Sequence, residues 1–134
     1  MKNILMAIAV LQIFYFNPDG SLGQNEIIMA DNIPAQYQAW VVFSEMFRQS
    51  ELVPRDVDVL GVQFIPHDGT LIIDLSREVL NYGGTYFEYH FTNLLLKNAS
   101  TIPQTRYFTV LIEGRAIQFP EGVKIYRALI SSTE

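Results

Sequence analysis

A run of apolar residues followed by turn residues opens the chain. Residues 10–16 are apolar apart from Gln12, and the turn-forming residues 17–20 follow, which predicts a strand that ends before this turn. Residues 21–31 show no clear periodicity, so we predict a loop there, with a short extended piece at residues 26–29.

Two segments carry apolar residues at helical spacing, and each starts with residues that favour helix initiation. The first begins at residues 32–34, because Asn is a favourable N-cap and Pro fits the first turn, and its apolar face extends to Phe47. The second runs from about residue 86 to residue 100. Thr85 and Glu88 match the pattern of a capping box, in which each side chain bonds the backbone N–H of the other residue.

Short apolar runs separated by turn signals predict the remaining strands. These strands are residues 59–66, 70–75, 107–112, 115–119 and 124–130. Gly69, Gly114 and Gly122 lie in the turns that separate them. The order of elements predicts an α+β fold, with a mostly antiparallel or mixed sheet and two helices packed on one of its faces.

The length of the chain fits one domain. Its 134 residues are enough for a single hydrophobic core, and we place that domain at residues 10–131. The apolar run at residues 4–16 is too short to cross a bilayer. Residues 1–9 are therefore either the remnant of an export signal or an extension of the first strand.

Composition and charge narrow the function classes. Hydrophobic residues make up 49% of the chain and aromatic residues 13%, which favours a packed domain over disorder. The net charge is −5 and the nine basic residues are scattered, so nucleic acid is an unsuitable partner. The chain has no cysteine, which excludes disulfides, thiolate metal sites and cysteine nucleophiles.

Few residues are candidates for catalysis or metal binding. His67 precedes Asp68, but both lie in a predicted turn, and Asp-Gly there is explained by backbone needs. Asp74 lies four residues before Glu78 at a strand end, where Asp74 or Ser76 suits a helix cap better than a catalytic pair. His67 and His90 are far apart in sequence, so we predict no metal site and no cofactor.

The Gly83-Gly84 pair before the second helix has two interpretations. A helix N-terminus can hold an anion, but the chain has no P-loop pattern and Glu88 in the first turn would repel phosphate. We favour a conformational role, in which flexible glycine permits a sharp turn into the helix. The triplet Asn98-Ala99-Ser100 fits a glycosylation signal and is interpreted as a chance match.

Tyrosines are concentrated at the start of the second helix. Tyr82, Tyr86 and Tyr89 lie on faces partly opposite to Phe87 and Phe91, so we predict that these three tyrosines are exposed. Tyrosine is favoured where apolar contact and hydrogen bonding coincide, as in protein interfaces. The three tyrosines are therefore the candidate interface.

Three segments of the chain together resemble the GerMN domain family of sporulation and germination proteins. They are residues 11–20, residues 71–89, and residues 107–114 with residues 119–122. The match spans roughly residues 10–130, and its motif residues are Asp74, Ser76, Gly83, Gly84, Thr85, Glu88, Gly114 and Gly122. The resemblance implies a fold related to the ring-building modules of secretion-type complexes. It also implies a non-enzymatic role at the outer face of the cytoplasmic membrane of an endospore-forming bacterium, in assembling the channel complex between mother cell and forespore.

Three functional hypotheses follow. The first is a non-enzymatic assembly domain that presents a sheet edge or a helix face to a partner protein or to copies of itself. The alternative is a module that binds cell-wall glycans or another small ligand by stacking sugars on aromatic rings. The third is a hydrolase that uses His67 or Asp74. The resemblance implies an extracytoplasmic location near the cell membrane, with the membrane periphery or the cell wall as the possible sites.

Overall fold

The computed structural model describes residues 7–130, which form two helices and two sheets. The elements are β1 (Ile8–Phe16), β2 (Leu22–Ala30), α1 (Ala35–Gln49), β3 (Val59–Ile65), β4 (Thr70–Leu75), a 3₁₀ turn (Arg77–Leu80), α2 (Thr85–Ala99), β5 (Tyr107–Ile112) and β6 (Ala128–Leu129). The predicted α+β class is confirmed. Among the described residues no helix is long and apolar enough to span a membrane.

The strands divide into a hairpin and a mixed sheet. β1 and β2 pair antiparallel along nine residues each. The second sheet has the order β3-β4-β5-β6, in which β4 and β5 run parallel and the other neighbours run antiparallel. Because parallel strands need a crossover, α2 connects β4 to β5.

The core lies where α1 packs against β1 of the hairpin and β3 of the mixed sheet. Phe43 of α1 stacks on Phe108 of β5 with 5.6 Å between ring centroids, and both rings are fully buried. Phe47 of α1 meets Phe91 of α2 edge-on at 6.2 Å. Burial of such a side chain contributes roughly 1.5–3 kcal/mol, so these aromatic contacts hold α1 against the mixed sheet and against α2.

Residues 21–31 correct the sequence prediction, because nine of them form β2 rather than a loop. Their own pattern is mostly polar from Gly23 to Glu26, which hides the strand. Pairing with β1 overrides this weak local preference. The turn is closed by the N–H of Asn17, which donates to Ser21 O at 2.8 Å.

The C-terminal strands are also shorter than predicted. Glu113 and Gly114 have φ values of 50° and 81°, which form the predicted two-residue turn, and Ile112 bridges to Arg115. The chain then leaves the sheet, so the predicted strand at 115–119 is absent and the predicted strand at 124–130 is reduced to β6. The reason is that residues 119–123 turn back on themselves and dock on α2.

The starts of β1 and α1 differ slightly from prediction. β1 begins at Ile8, so residues 8 and 9 are strand, while residues 1–6 of the predicted segment 1–9 lie outside the described residues. The N-cap position of α1 is Pro34 and carries no side-chain bond, so Asn32 is not the cap. The N–H groups of Tyr37 and Gln38 instead donate to Pro34 O.

Candidate functional site

A buried carboxylate organises the start of α2. Glu88 is only 1% exposed although it lies in the first turn of the helix. It accepts hydrogen bonds from the N–H of Glu121 at 2.8 Å, the N–H of Val123 at 2.9 Å and the hydroxyl of Tyr82 at 2.7 Å. Hydrogen bonds to a charged acceptor contribute about 1.5–3 kcal/mol each, so Glu88 anchors the loop at residues 119–123 to α2.

The loop returns a carboxylate to the helix. Glu121 accepts a hydrogen bond from the N–H of Gly84 at 3.2 Å, and Gly84 occupies the N-cap position of α2 with φ of 103°. A negative side chain at this end of a helix is favourable, because the helix dipole is positive there. We call this reciprocal arrangement of Gly84, Glu88, Glu121 and Val123 the Glu88–Glu121 clasp.

The clasp replaces the predicted capping box. Thr85 is exposed and is the first residue of α2 rather than its N-cap, and no side chain of the predicted box caps the helix. The prediction is wrong because the left-handed backbone of Gly84 takes the cap position and Glu88 turns inward to the loop. Gly83 has no such conformation and no neighbour within 4 Å of where its Cβ would be.

Tyr82 is half-buried and packs against the core instead of standing free on the surface. Its ring lies 4.8 Å from the ring of Phe87 and 5.7 Å from that of Phe91, and its hydroxyl donates to Glu88. Burial, followed by the hydrogen bond to Glu88, raises the pKa of Tyr82 well above its usual range. The prediction that Tyr82 is exposed is therefore wrong.

Three exposed rings follow on the outer side of α2. Tyr86 is 80% exposed and Tyr89 is 63% exposed, which agrees with the exposure predicted for both. The ring of His90 lies 4.4 Å from that of Tyr86 and 5.2 Å from that of Tyr89. We call Tyr86, Tyr89 and His90 the aromatic ridge. Its role as an interface stays a prediction.

A small hollow adjoins the ridge, with a volume of about 250 Å³. It is lined by Phe16, Asp19, Gly20, Leu52, Tyr86, Phe87 and His90. Hydrogen bonds from the hydroxyl and N–H of Ser21 lower the pKa of Asp19, so the rim carries a carboxylate at neutral pH. The hollow combines apolar and aromatic walls with one negative group.

A larger and more polar groove of about 700 Å³ runs along α1 and the following loop. Trp40, which is 42% exposed, lies on one side of it. Arg48, Arg55 and Asp56 are among the charged residues that line it. The mixed charges give this groove no single electrostatic preference.

The predicted catalytic candidates have structural partners. His67 is exposed in the β3–β4 turn, while Asp68 accepts bonds from the N–H and hydroxyl of Thr70 and lies 3.3 Å from Arg127. Asp74 accepts the N–H of Gly114 at 2.8 Å. These carboxylates brace turns and do not converge with His67. Within residues 7–130 no group of three or more histidine or acidic side chains could hold a metal ion.

Ser76 and the last turn complete the motif residues. Ser76 occupies the N-cap position of the 3₁₀ turn, but its hydroxyl accepts the N–H of Asp58 at 2.9 Å instead of capping that turn. Gly122 has φ of 103° and donates its N–H to Phe119 O at 2.9 Å, which tightens the loop of the clasp.

Asn98 is a key residue that sequence reasoning missed. Its side chain is fully buried, and its amide both accepts from the N–H of Phe14 and donates to Phe14 O, each at 2.9 Å. Asn98, a residue of α2, thus satisfies the outward N–H and C=O of Phe14 at the outer edge of β1. An amide on the apolar face of a helix, one turn after Leu94, was the available signal. Its burial also makes it inaccessible to glycosylation.

Comparison with solved structures decides the fold. The first GerMN domain of the sporulation protein GerM from Bacillus subtilis matches with a TM-score of 0.60 at 18% identity, covering 91% of this chain and 97% of that domain. The tandem GerMN domains of the same protein match with a TM-score of 0.60 at 18% identity, covering 92% of this chain and 46% of theirs. A candidate lipoprotein from Clostridium perfringens matches with a TM-score of 0.52 at 15% identity, over 89% of this chain and 84% of its own.

This chain has the GerMN fold. It spans about half the length of the tandem structure. No family model and no curated protein matches the sequence. Within the GerMN fold of this chain, two of the segments that carry the resemblance meet, because residues 82–89 and 119–122 form most of the Glu88–Glu121 clasp.

Proposed function

We propose that this chain is a non-enzymatic assembly domain of the GerMN kind, which binds a protein partner through the aromatic ridge. The observation that carries the proposal is that the side chains at the start of α2 fall into two groups, one hydrogen-bonded within the fold and one exposed. Glu88, Glu121 and Tyr82 are used within the fold, whereas Tyr86 and Tyr89 extend into solvent. Exposed tyrosines that nothing in the fold requires are typical of contact surfaces.

The setting of this function is proposed from the structural neighbours. GerM is a sporulation protein, and the protein from Clostridium perfringens is a candidate lipoprotein. We therefore place the chain in sporulation or germination, at the outer face of the cytoplasmic membrane. Asp68, Asp74 and Ser76 support a role without catalysis, because each is engaged by backbone or hydroxyl donors in a turn.

Complementation of a deletion in the native host tests this proposal. The host gene is deleted, and heat-resistant spores are counted after complementation with the natural chain or with the Tyr86→Ala/Tyr89→Ala variant. We expect the natural chain to restore sporulation and the double variant to fail while keeping the natural unfolding curve. Full complementation by the folded double variant, or unchanged sporulation in the deletion strain, contradicts the proposal.

A small-ligand or glycan-binding function is the second candidate, favoured by the hollow beside Tyr86 and His90. Muropeptides are added while the ring signals of His90 are followed by NMR, and Trp40 fluorescence monitors the separate groove on α1. A saturable shift at His90, lost in Leu52→Lys, would favour ligand binding. Unchanged spectra at millimolar muropeptide would remove it.

A further inference from the structure

No strand among residues 7–130 pairs with the outer edge of β2. Two of its backbone groups have local partners: the N–H of Glu26 donates to Asn25 Oδ1 at 3.2 Å, and Ala30 O accepts the N–H of Ile33 at 3.3 Å. β2 pairs with β1 through nine consecutive residues without a register shift, and it pairs with no other strand of the part of the chain that the structure describes. The N–H of Asp31 donates to Ala7 O, so the backbone N–H and C=O groups of the odd-numbered residues of β2 point towards β1. Even-numbered residues of β2 therefore direct their backbone groups outward: Leu22, Gln24, Glu26, Ile28 and Ala30.

The other edges are protected. On β1, Asn98 engages Phe14, the hydroxyl of Ser50 accepts the N–H of Phe16, and the N–H of Glu51 donates to Phe16 O. β3 has a register shift at Val59/Gly61, and β6 has only two residues. Bulges, short strands and side-chain cover are devices that prevent edge-to-edge pairing. β2 is nine residues long, pairs with β1 without a bulge and carries one charged residue. Among the described residues its side-chain cover is Asn25 Oδ1, which accepts the N–H of Glu26.

The exposed face of the hairpin is apolar at one end. Ile28 is 66% exposed, and Val10, directly opposite it on β1, is 48% exposed. Ile8 on the same face is 56% exposed. The opposite face is turned towards α1, since Asn25 donates to Gln49 at 3.1 Å. An exposed apolar face beside an open strand edge marks a surface suited to another strand.

We infer that β2 pairs antiparallel with β2 of a second copy of this chain, about a twofold axis at Ile28. A row of outward N–H and C=O groups that no strand pairs selects an extended backbone as its partner, and the N–H of Glu26 exchanges Asn25 Oδ1 for that backbone. Two copies of the hairpin then form one four-stranded sheet. Ile28 lies opposite Ile28 of the second copy, so Val10 and Ile28 of both copies form one continuous apolar row. The contact is isologous, as in most homodimers.

The position of Glu26 disfavours the registers centred nearer the β1–β2 turn. A twofold axis at Glu26 would place two carboxylates opposite each other, and like charges at opposed positions are destabilising. An axis at Ile27 would place Glu26 against Ile28. With the axis at Ile28, Glu26 lies opposite Ala30 of the second copy, and the carboxylate meets neither its equivalent nor the apolar row.

This inference rests on the proposed assembly function and names one partner, a second copy, at a surface separate from the aromatic ridge. The paired region is short, covering residues 26–30 of each copy. Stable dimers bury about 800 Å² per partner, and a contact limited to five residues of each copy is smaller than that. We therefore expect weak self-association, with a dissociation constant of about 10 µM to 1 mM. Such a contact becomes populated where copies are concentrated, as in an assembly.

Sedimentation equilibrium of the natural chain, Ile28→Lys and Leu22→Lys tests the surface and its register. Ile28→Lys places two ammonium groups on the twofold axis and is expected to weaken self-association at least about tenfold. Leu22→Lys is the matched control, because Leu22 is 50% exposed on the same strand and face but lies outside the paired region. Circular dichroism checks that both variants fold.

Single-cysteine cross-linking tests the axis directly, because the chain has no cysteine of its own. Opposed residues of a hydrogen-bonded antiparallel pair have Cα atoms about 5.5 Å apart, which a disulfide can span. Mild oxidation should therefore cross-link Ile28→Cys much faster than Gln24→Cys. A natural chain that is monomeric at about 1 mM, equal weakening by Leu22→Lys, or equal cross-linking of both cysteine variants would overturn the inference. None of these results bears on the spore counts of the ridge variant, so the two proposals fail separately.

Discussion

The loop at residues 119–123 and the hairpin strand β2 treat their backbone groups in opposite ways. In the loop, the N–H groups of Glu121 and Val123 donate to the carboxylate of Glu88, and the carboxylate of Glu121 accepts the N–H of Gly84. In β2, five residues direct backbone groups to an edge that no strand of residues 7–130 occupies. Buried polar groups must be hydrogen-bonded, whereas exposed backbone groups remain available to bind a partner. The clasp therefore contributes to stability, whereas the outer edge of β2 is available for the contact inferred above.

The largest expected effect is loss of the clasp. Glu88→Ala leaves three donors without their acceptor, the N–H groups of Glu121 and Val123 and the hydroxyl of Tyr82. We expect the free energy of unfolding in urea to fall by at least about 3 kcal/mol. Glu121→Ala is the matched control and should cost about 0.5 kcal/mol, since Glu121 is exposed. Equal effects of the two variants would show that burial of Glu88 is not what matters.

The second largest expected effect comes from removing Asn98, whose side chain covers the outer edge of β1. Asn98→Ala removes both bonds to Phe14 and leaves a cavity at a fully buried position. We expect a loss of about 2 kcal/mol in thermal or urea unfolding. Ser100→Ala, at an exposed position one residue past the end of α2, serves as control. If Asn98→Ala unfolds like the natural chain, the edge of β1 does not need its cover.

Substitutions at Gly83 and Gly84 test whether the backbone conformation is what requires glycine at this turn. Gly84→Ala forces a side chain into φ of 103°, where L-residues are strained, and should cost about 1–3 kcal/mol. Gly83→Ala meets neither strain nor a neighbouring atom and should change stability by less than about 0.5 kcal/mol. Differential scanning calorimetry of the two variants measures the difference. A larger effect at Gly83 would contradict this assignment.

Tyr82 gives a smaller effect that depends on pH. Its pKa is raised in the folded state, so unfolding above about pH 10 releases a proton that the native state retains. This contribution to stability is complete below about pH 10 and is lost as pH rises further. Tyr82→Phe should cost about 1 kcal/mol at neutral pH, through the lost bond to Glu88, and should flatten the alkaline decline. Urea unfolding at several pH values from 7 to 11 compares the two chains. Parallel declines would remove Tyr82 as their source.

The smallest expected effect is at the aromatic ridge. Tyr86→Ala/Tyr89→Ala should change the free energy of unfolding by less than about 0.5 kcal/mol, because both rings are largely exposed. Thermal unfolding followed by circular dichroism measures the change. A loss above about 2 kcal/mol would move these tyrosines from the contact surface to the structural group that contains Tyr82.

Local signals accounted for the elements with strong patterns of their own. α1, α2 and the strands β3, β4 and β5 follow from periodicity and turn residues, and their observed bounds lie within a few residues of the predicted ones. β2 could not be found this way, since its polar residues acquire strand structure only by pairing with β1. The predicted strand at 115–119 failed for the converse reason, because docking on α2 draws that segment away from the sheet.

The sequence by itself determined the α+β class, the two helices, the antiparallel pair β3–β4 and the exposure of Tyr86 and Tyr89, because each depends on spacing within one segment. Only the tertiary structure decided the roles of Glu88, Asn98 and Tyr82, whose partners are 84, 35, 33 or 6 residues away in the chain. It also decided which strand edge stays open. A side chain's partner and an edge's cover are set by elements that meet across the fold, and no local pattern records that meeting.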